Sequence, residues 1–541
     1  MFALLHRFAD WLILLFGWRR ALVALAAGAL STLSLPPFFF IPILFLTLPV
    51  LVLLLDGADA DPQEGRRFRR LVGRAGFFST GFWFGFGWFA AGLYWIAEAL
   101  LVDSAAHAWL IPFAVTLIPA GLALFFGIAT AIAGSLWVGG SWRLLALAAT
   151  LVALEWLRGV AFTGFPWNSL HMALAAHPAL LQGFAFVGPL GASFAVVAVA
   201  LVPAALWPGL GGGPDGRRYA MVAFAVAIVW VGGGALRLAG EVDETIQSAT
   251  VRIVQPNIAQ ADKWDPELRD QHFASLLDLT TRRTDGTDLG LLDVTHVFWP
   301  ESAFPFLLTD RPDALTAIGS VLPLGTTLIA GALRAERRDE RRVFTNAIFA
   351  LNDSGEITDA YDKVRLVPFG EQLPFGRLVD RLGLRPLVGA PAGFIPGASS
   401  GTLETPGGPS GLGLVCYEAI FSNYVREGVL THQPDFLINV TNDAWFGRSI
   451  GPVQHFHQAR IRSVETGRPL VRAANTGISA IVDARGRVVE ALAIDNRGVL
   501  TANLPNSLTQ TAYLRWGHLP IMLLLMFILS VSVYHRRSYP S

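Results

Sequence analysis

Between Ala75 and Gly213 the chain carries only five charged residues: Glu98, Asp103, Arg143, Glu155 and Arg158. Such a stretch is built for lipid, where a spanning helix needs about 20 mostly apolar residues. Apolar runs of that kind lie at 20–37, 38–55, 76–97, 108–137, 142–159, 179–208 and 219–238, with an eighth at 518–535. The segment before them, Met1 to Trp18, is apolar with Arg7 and lacks a cleavage site, so it reads as an interfacial lead-in to the first span. Over all 541 residues the charged fraction is 15%, against about 25% for soluble chains.

Short loops orient the spans through their basic residues. With the N-terminus inside, the cytoplasmic side collects thirteen Arg, the runs Arg66 to Arg74 and Arg536–Arg537 among them, and the other side has only Arg158 and Arg237. The expected organisation is a transmembrane domain of seven spans over 1–238, an outer soluble domain over 239–517, and a last span with a cytoplasmic tail over 518–541. A formal net charge of zero excludes the basic face that a nucleic-acid binder needs.

The soluble stretch alternates strand-like and helix-like runs. Strands are expected at 249–255, 294–299, 327–333, 343–351, 411–417, 436–441 and 479–483, and amphipathic helices at 266–283, 312–321, 419–430 and 454–466. Alternation of this kind predicts a layered α/β fold.

Chemistry is sparse and therefore traceable. The single cysteine, Cys416, excludes an intrachain disulfide and a cysteine-based metal cluster, and no metal or cofactor is expected. It closes an apolar strand before a helical run, where a nucleophile would be presented at a sheet edge; a small buried hydrophobe is the competing reading. Glu301 follows the apolar run Phe298-Trp299-Pro300 and would be a base or a cap. The 41 basic residues include only two lysines, Lys263 and Lys363. Lys363 stands near a strand end with Glu371 eight residues on, although a surface charge and a helix cap would read the same way. A thiol, a base and a cation are what acyl transfer requires. His455 and His457, two apart on one helix, are poorly spaced for joint metal ligation. Glu155 and Arg158 have the spacing of a helical ion pair, and Asn475 could line a pocket or satisfy a turn.

These residues resemble the carbon–nitrogen hydrolase (nitrilase) superfamily, and the whole chain is similar to its apolipoprotein N-acyltransferase family. The local strings that carry the resemblance are Trp156-Leu157-Arg158-Gly159, Thr163-Gly164-Phe165-Pro166-Trp167, Gln255-Pro256-Asn257-Ile258, Asn442-Asp443-Ala444-Trp445-Phe446-Gly447 and Gln454-His455-Phe456. Pro256 and Gln372 depart from the family pattern. The resemblance implies a polytopic α-helical membrane domain of about eight spans joined to an αββα sandwich. It implies a Glu-Lys-Cys triad of Glu301, Lys363 and Cys416, a second carboxylate at Glu371, and supporting roles for Tyr417, Glu418 and Asn442. It also implies aromatic residues over the lipid entrance at Trp264, Trp445 and Phe446, though a tryptophan there could equally be an interfacial anchor.

The implied reaction moves an acyl chain from a membrane phospholipid, through a thioester, to the N-terminal amine of a diacylglyceryl-cysteine apolipoprotein. The implied setting is the lipid bilayer of a bacterial inner membrane, with the catalytic domain periplasmic, both termini cytoplasmic and the protein monomeric. Two other readings stand beside it: a membrane-anchored amidase acting on a small carbon–nitrogen substrate, and a transport or structural membrane protein with an inactive outer domain.

Overall fold

The computed structural model describes residues 2–59, 66–207, 213–240, 245–284, 289–338, 341–368, 370–372, 394–405 and 408–538. It forms two compact units, one from Met1–Ala239 with Trp516–Ser541 and one from Gly240–Arg515.

The first unit is helical. Its long helices are α1 (Phe2–Ile13), α2 (Gly17–Ser31), α3 (Leu44–Asp59), α4 (Arg66–Gly92), α5 (Ile111–Ser135), α6 (Trp142–Val160), α7 (Phe184–Ala200) and α8 (Pro214–Ala239), with one further helix at Leu519–Ser538. Among the described residues five segments are long and apolar enough to cross a membrane, or six if the pair His6–Ile13 and Gly17–Ser34, bent by 120°, counts as one span. The expected eight therefore exceeds what length and apolarity alone support. The shortfall falls on α4, which opens with Arg66, Arg67, Arg69, Arg70 and Arg74, and on α6, which holds Arg143, Glu155 and Arg158.

Glu155 and Arg158 reach different partners. Glu155 accepts from Ser193 Oγ at 2.5 Å and from the Leu170 amide at 3.0 Å, whereas Arg158 donates to the Trp167 carbonyl at 2.6 Å and to Ser169 Oγ at 3.2 Å. On α8, Phe224, Val229 and Leu236 stand exposed, as apolar side chains do on a surface facing lipid. Small residues let the helices approach: a methyl group at Gly28 of α2 would lie 1.8 Å from the Phe84 carbonyl oxygen of α4.

The second unit is a sandwich of two six-stranded sheets. The first has the order β12-β1-β2-β3-β4-β5, from β1 (Thr245–Gln255), β2 (His296–Trp299), β3 (Thr327–Arg338), β4 (Arg341–Leu351), β5 (Ile357–Asp362) and β12 (Gly498–Pro505). The second has the order β11-β10-β9-β8-β7-β6, from β6 (Thr402–Leu403), β7 (Gly411–Val415), β8 (Phe436–Thr441), β9 (Leu470–Ala474), β10 (Ser479–Val482) and β11 (Val488–Leu492). The β1–β2–β3 and β7–β8–β9 neighbours run parallel, and antiparallel strands flank them.

Central strands such as β2, β7, β8 and β9 are buried at every residue, which is why they read as unbroken apolar runs. Ile253, Phe298, Ile329 and Ile348 of one sheet meet Val415, Ile438, Val440 and Val471 of the other in the inner core. The opposite face of the first sheet packs Val297, Trp299 and Phe349 on Phe273, Leu276 and Ile318 of α9 (Arg269–Thr281) and α10 (Pro312–Val321). Against the second sheet lie α11 (Ser422–His432) and α12 (Gly451–Thr466), completing four layers. Several expected boundaries move; the one at the site is strand 411–417, which ends at Val415 because Cys416 turns to φ +49° and opens a short 3-10 helix.

Two helical glycines test the close approach of α2 and α4. Gly28→Ala places a carbon against fixed backbone and should cost about 1–3 kcal/mol. Gly121→Ala on α5, with nothing within 4 Å, should be neutral or gain up to about 1 kcal/mol in helix propensity. Thermal unfolding of the detergent-solubilised protein reads both, and equal midpoints would contradict the packing described.

Candidate active site

The carboxyl ends of parallel strands are where an α/β sheet presents side chains for chemistry. Glu301 follows β2, Cys416 follows β7 and Asn442 follows β8, while Lys363 leaves the end of β5. Local backbone fixes each. Gly331 on β3 lies so close to Glu301 that a methyl group there would meet the Glu301 Cα at 2.5 Å. The Lys363 amide donates to the Asn346 carbonyl of β4 at 2.8 Å. Cys416 and Ser302, neither of them glycine, both hold positive φ, a strained arrangement that the surrounding sheet ends must over-determine.

Lys363 is 1% exposed, and its Nζ sits 2.9 Å from Glu371 and 3.8 Å from Glu301 Oε1. Asn346 Nδ2 joins the two carboxylates, donating to Glu301 Oε1 at 2.7 Å and to Glu371 Oε1 at 3.1 Å. The other Glu301 oxygen accepts from the Asn442 amide at 2.8 Å. Burial works to lower the Lys363 pKa, but Glu371, Glu301 and Cys416 outweigh it and hold the ammonium above its ordinary range. Burial likewise works against the Glu371 carboxylate, and Lys363 holds it below the usual range. Burial pushes the Cys416 thiol up, Glu301 adds to that, and Lys363 opposes it. A resting thiol that ionises only as a neighbouring carboxylate takes its proton fits this balance.

Glu418 is a latch between the Lys363 and Cys416 segments. Its two oxygens accept from the amides of Val364 and Val415 at 2.8 Å, from the Arg365 amide at 3.0 Å and from Tyr361 OH at 2.9 Å. Tyr417 is buried with its ring edge-on to Phe421. Asn442 also donates to Gln260 Oε1 at 2.6 Å and accepts from Asn475 Nδ2 at 3.0 Å. Asn475 combines both of its expected roles, bonding the Ile258 backbone and lining a cavity with Pro256, Lys263 and Ser302. Trp264 and Trp445 are each 42% exposed, and Phe446 meets the His455 ring edge-on.

Beneath the thiol lies a buried group that sequence reasoning missed. Asp443 Oδ2 accepts from Arg472 at 2.7 Å, Asp443 Oδ1 accepts from Thr441 at 2.9 Å, and His455 Nδ1 stands 2.8 Å from the same Oδ1. The His455 Nε2 lies 3.2 Å from the Cys416 carbonyl oxygen. Asp443 is held down to about 2, Arg472 and His455 outweighing the burial that would raise it. Donor atoms of Cys416, Asp443 and His455 fall within 4.8 Å of one another, but the Arg472 guanidinium already occupies the carboxylate. The legible signal was the string Asn442-Asp443, whose acid pairs with a distant arginine rather than with a neighbour.

Residues 27–202 match the apolipoprotein N-acyltransferase N-terminal domain family, and residues 250–513 match the carbon-nitrogen hydrolase family. An apolipoprotein N-acyltransferase of Rhodopseudomonas palustris is 41% identical over 539 residues, covering 98% of each chain. One from Brucella suis is 43% identical over 550 residues, covering 99% of this chain and all of that one. The chain belongs to the apolipoprotein N-acyltransferase family. An amidase of Nesterenkonia sp. is a more distant likeness, at 17% identity and a TM-score of 0.36, covering 53% of this chain and 99% of that structure. As a member of the apolipoprotein N-acyltransferase family the protein is an acyltransferase of lipoprotein biosynthesis, and its second unit has the carbon–nitrogen hydrolase fold. The amidase and transporter readings are not favoured.

The Glu418 latch makes a measurable claim. Glu418→Ala leaves three amides, that of Val415 buried, and the Tyr361 hydroxyl without their shared acceptor, which should cost about 3 kcal/mol or more. Thermal unfolding should fall accordingly, and iodoacetamide labelling of Cys416 should change in the folded fraction. Unchanged stability would contradict the assignment.

Proposed function

We propose that Cys416, Glu301 and Lys363 carry out a two-step acyl transfer. Glu301 takes the Cys416 proton, and the thiolate attacks the ester carbonyl of a membrane phospholipid. Lys363 and backbone N–H groups hold the oxyanion. The carbon–oxygen bond breaks, Glu301 returns the proton to the leaving oxygen, and lysophospholipid departs from a thioester on Cys416. The α-amine of a diacylglyceryl-cysteine apolipoprotein then attacks the thioester and gives its proton to Glu301. The carbon–sulfur bond breaks, the proton passes to the Cys416 sulfur, and the triacylated lipoprotein leaves.

The observation that carries this reading is the buried Lys363 ammonium set between Glu301 and Glu371, with its charge felt at the thiol. Glu371 keeps Lys363 charged, Glu418 and Tyr417 fix the segments around Cys416, and Asn442 orients Glu301. Trp264, Trp445 and Phe446 form the rim over which lipid enters. In this reading the protein acts as a monomer.

The same proposal gives residues 1–238 as a transmembrane domain of seven spans, 239–517 as the periplasmic catalytic domain and 518–541 as a final span with a cytoplasmic tail, in a bacterial inner membrane. The arginine asymmetry of the loops supports this orientation, and the length and burial of α4 and α6 support their counting as spans despite their charges.

Without acceptor, purified protein mixed with phospholipid should release at most one lysophospholipid per chain, and adding a diacylglyceryl peptide should restart turnover. Glu301→Gln should abolish the burst. Lys363→Arg should slow it by about 100-fold, since a guanidinium fork and an ammonium place charge differently. Continuous lysophospholipid release without acceptor would instead make the protein a hydrolase.

A further inference from the structure

The second of the two lysines is not at the surface. Lys263 is 4% exposed, and its Nζ donates to the Glu301 backbone carbonyl at 3.0 Å. That carbonyl belongs to the peptide leading into Ser302, which is held at φ +47°. Lys263 lines the cavity that Pro256, His272, Ser302 and Asn475 share, and it directly precedes the half-exposed Trp264.

We propose that Lys263 is a positioning residue of the acyl transfer: its ammonium fixes the Glu301 peptide and gives the Cys416–Glu301 pair a second neighbouring cation. The proposal rests on the roles assigned above to Cys416 and Glu301. With Lys363 already shared by Glu371 and Glu301, the two carboxylates outnumber the one ammonium. Lys263, at the Glu301 backbone carbonyl, restores the balance and favours negative charge on the sulfur when Cys416 gives up its proton. The charged and titratable groups that bear on it are Glu301 and Cys416, with Lys363 paired to the same Glu301 and His272 on the cavity wall. Burial pushes Lys263 down to about 8 against the opposing pull of Glu301 and Cys416. Its charge is therefore present at pH 7 and is lost as pH rises through about 8.

The test is the rate of acyl-thioester formation from labelled phospholipid, measured from pH 6 to 10 on the full-length protein in detergent, beside Cys416→Ala. Wild type should lose rate on the alkaline side near pH 8. Lys263→Met should be about tenfold slower at pH 7, the change expected when a thiol loses one nearby cation, and should lack that alkaline limb, with KM for phospholipid unchanged. Lys263→Arg, which stays charged throughout, should recover rate and carry its activity to higher pH. A Lys263→Met rate within twofold of wild type overturns the proposal, and so does a slowed variant that keeps the limb near pH 8. If Lys263→Met does not fold, the arginine variant decides: a limb still at pH 8 refutes the role. Thioester on the wild type that Cys416→Ala abolishes upholds the underlying mechanism whatever Lys263 does, and its absence overturns that mechanism instead.

Discussion

An ammonium that is 1% exposed has to be neutralised where it stands, and Lys363 is neutralised by two carboxylates brought from separate segments of the chain. A buried charge without such partners costs several kcal/mol. The geometry of the site follows from that demand. Glu301 comes from the end of β2 and Glu371 from the segment after β5, with Asn346 of β4 tying one to the other. Once the three charges are fixed, the thiol that opens the turn after β7 lies in their field, with Glu301 and Lys363 acting on it in opposite directions. Electrostatic preorganisation of this kind supplies much of what an acyl-transfer site has to supply.

The sandwich pays for this charge cluster with satisfied contacts elsewhere. Glu418 gathers three amides and a hydroxyl, so the lysine-bearing and cysteine-bearing segments cannot drift apart independently. Under Cys416, the Asp443–Arg472 pair is fully buried yet paired, and His455 spans from it to the Cys416 carbonyl. Both networks hold the positive-φ backbone of Cys416 in place. In the proposed mechanism a thioester intermediate also has to be kept from water, a need that the burial around Cys416 would serve.

Much of this was legible in the residues. The central strands announced themselves because burial on both faces writes them as continuous apolar runs, as in Phe436–Thr441. Edge strands such as β11, exposed along most of its length, and the mixed β5 gave no such signal. The cysteine and Lys363 stood out by rarity, and Glu301 by its place at a strand end. Lys263 is equally rare, but only the fold shows that the segment turns it inward and its neighbour Trp264 outward. Asp443, His455 and Arg472 stayed hidden because their pairing joins residues far apart in sequence. The positive φ of Cys416 was beyond reach for a similar reason: strain is imposed by neighbours, not by the residue's own preference.

The central claim is that the acyl chain passes through the sulfur of Cys416. Peptide mass spectrometry of the wild-type protein, quenched with phospholipid present and acceptor absent, tests it most directly. The Cys416 peptide should gain the mass of one fatty acyl chain and lose it in neutral hydroxylamine. Acylation at another residue, or transfer to acceptor with Cys416 unmodified and replaceable by alanine, would contradict the account.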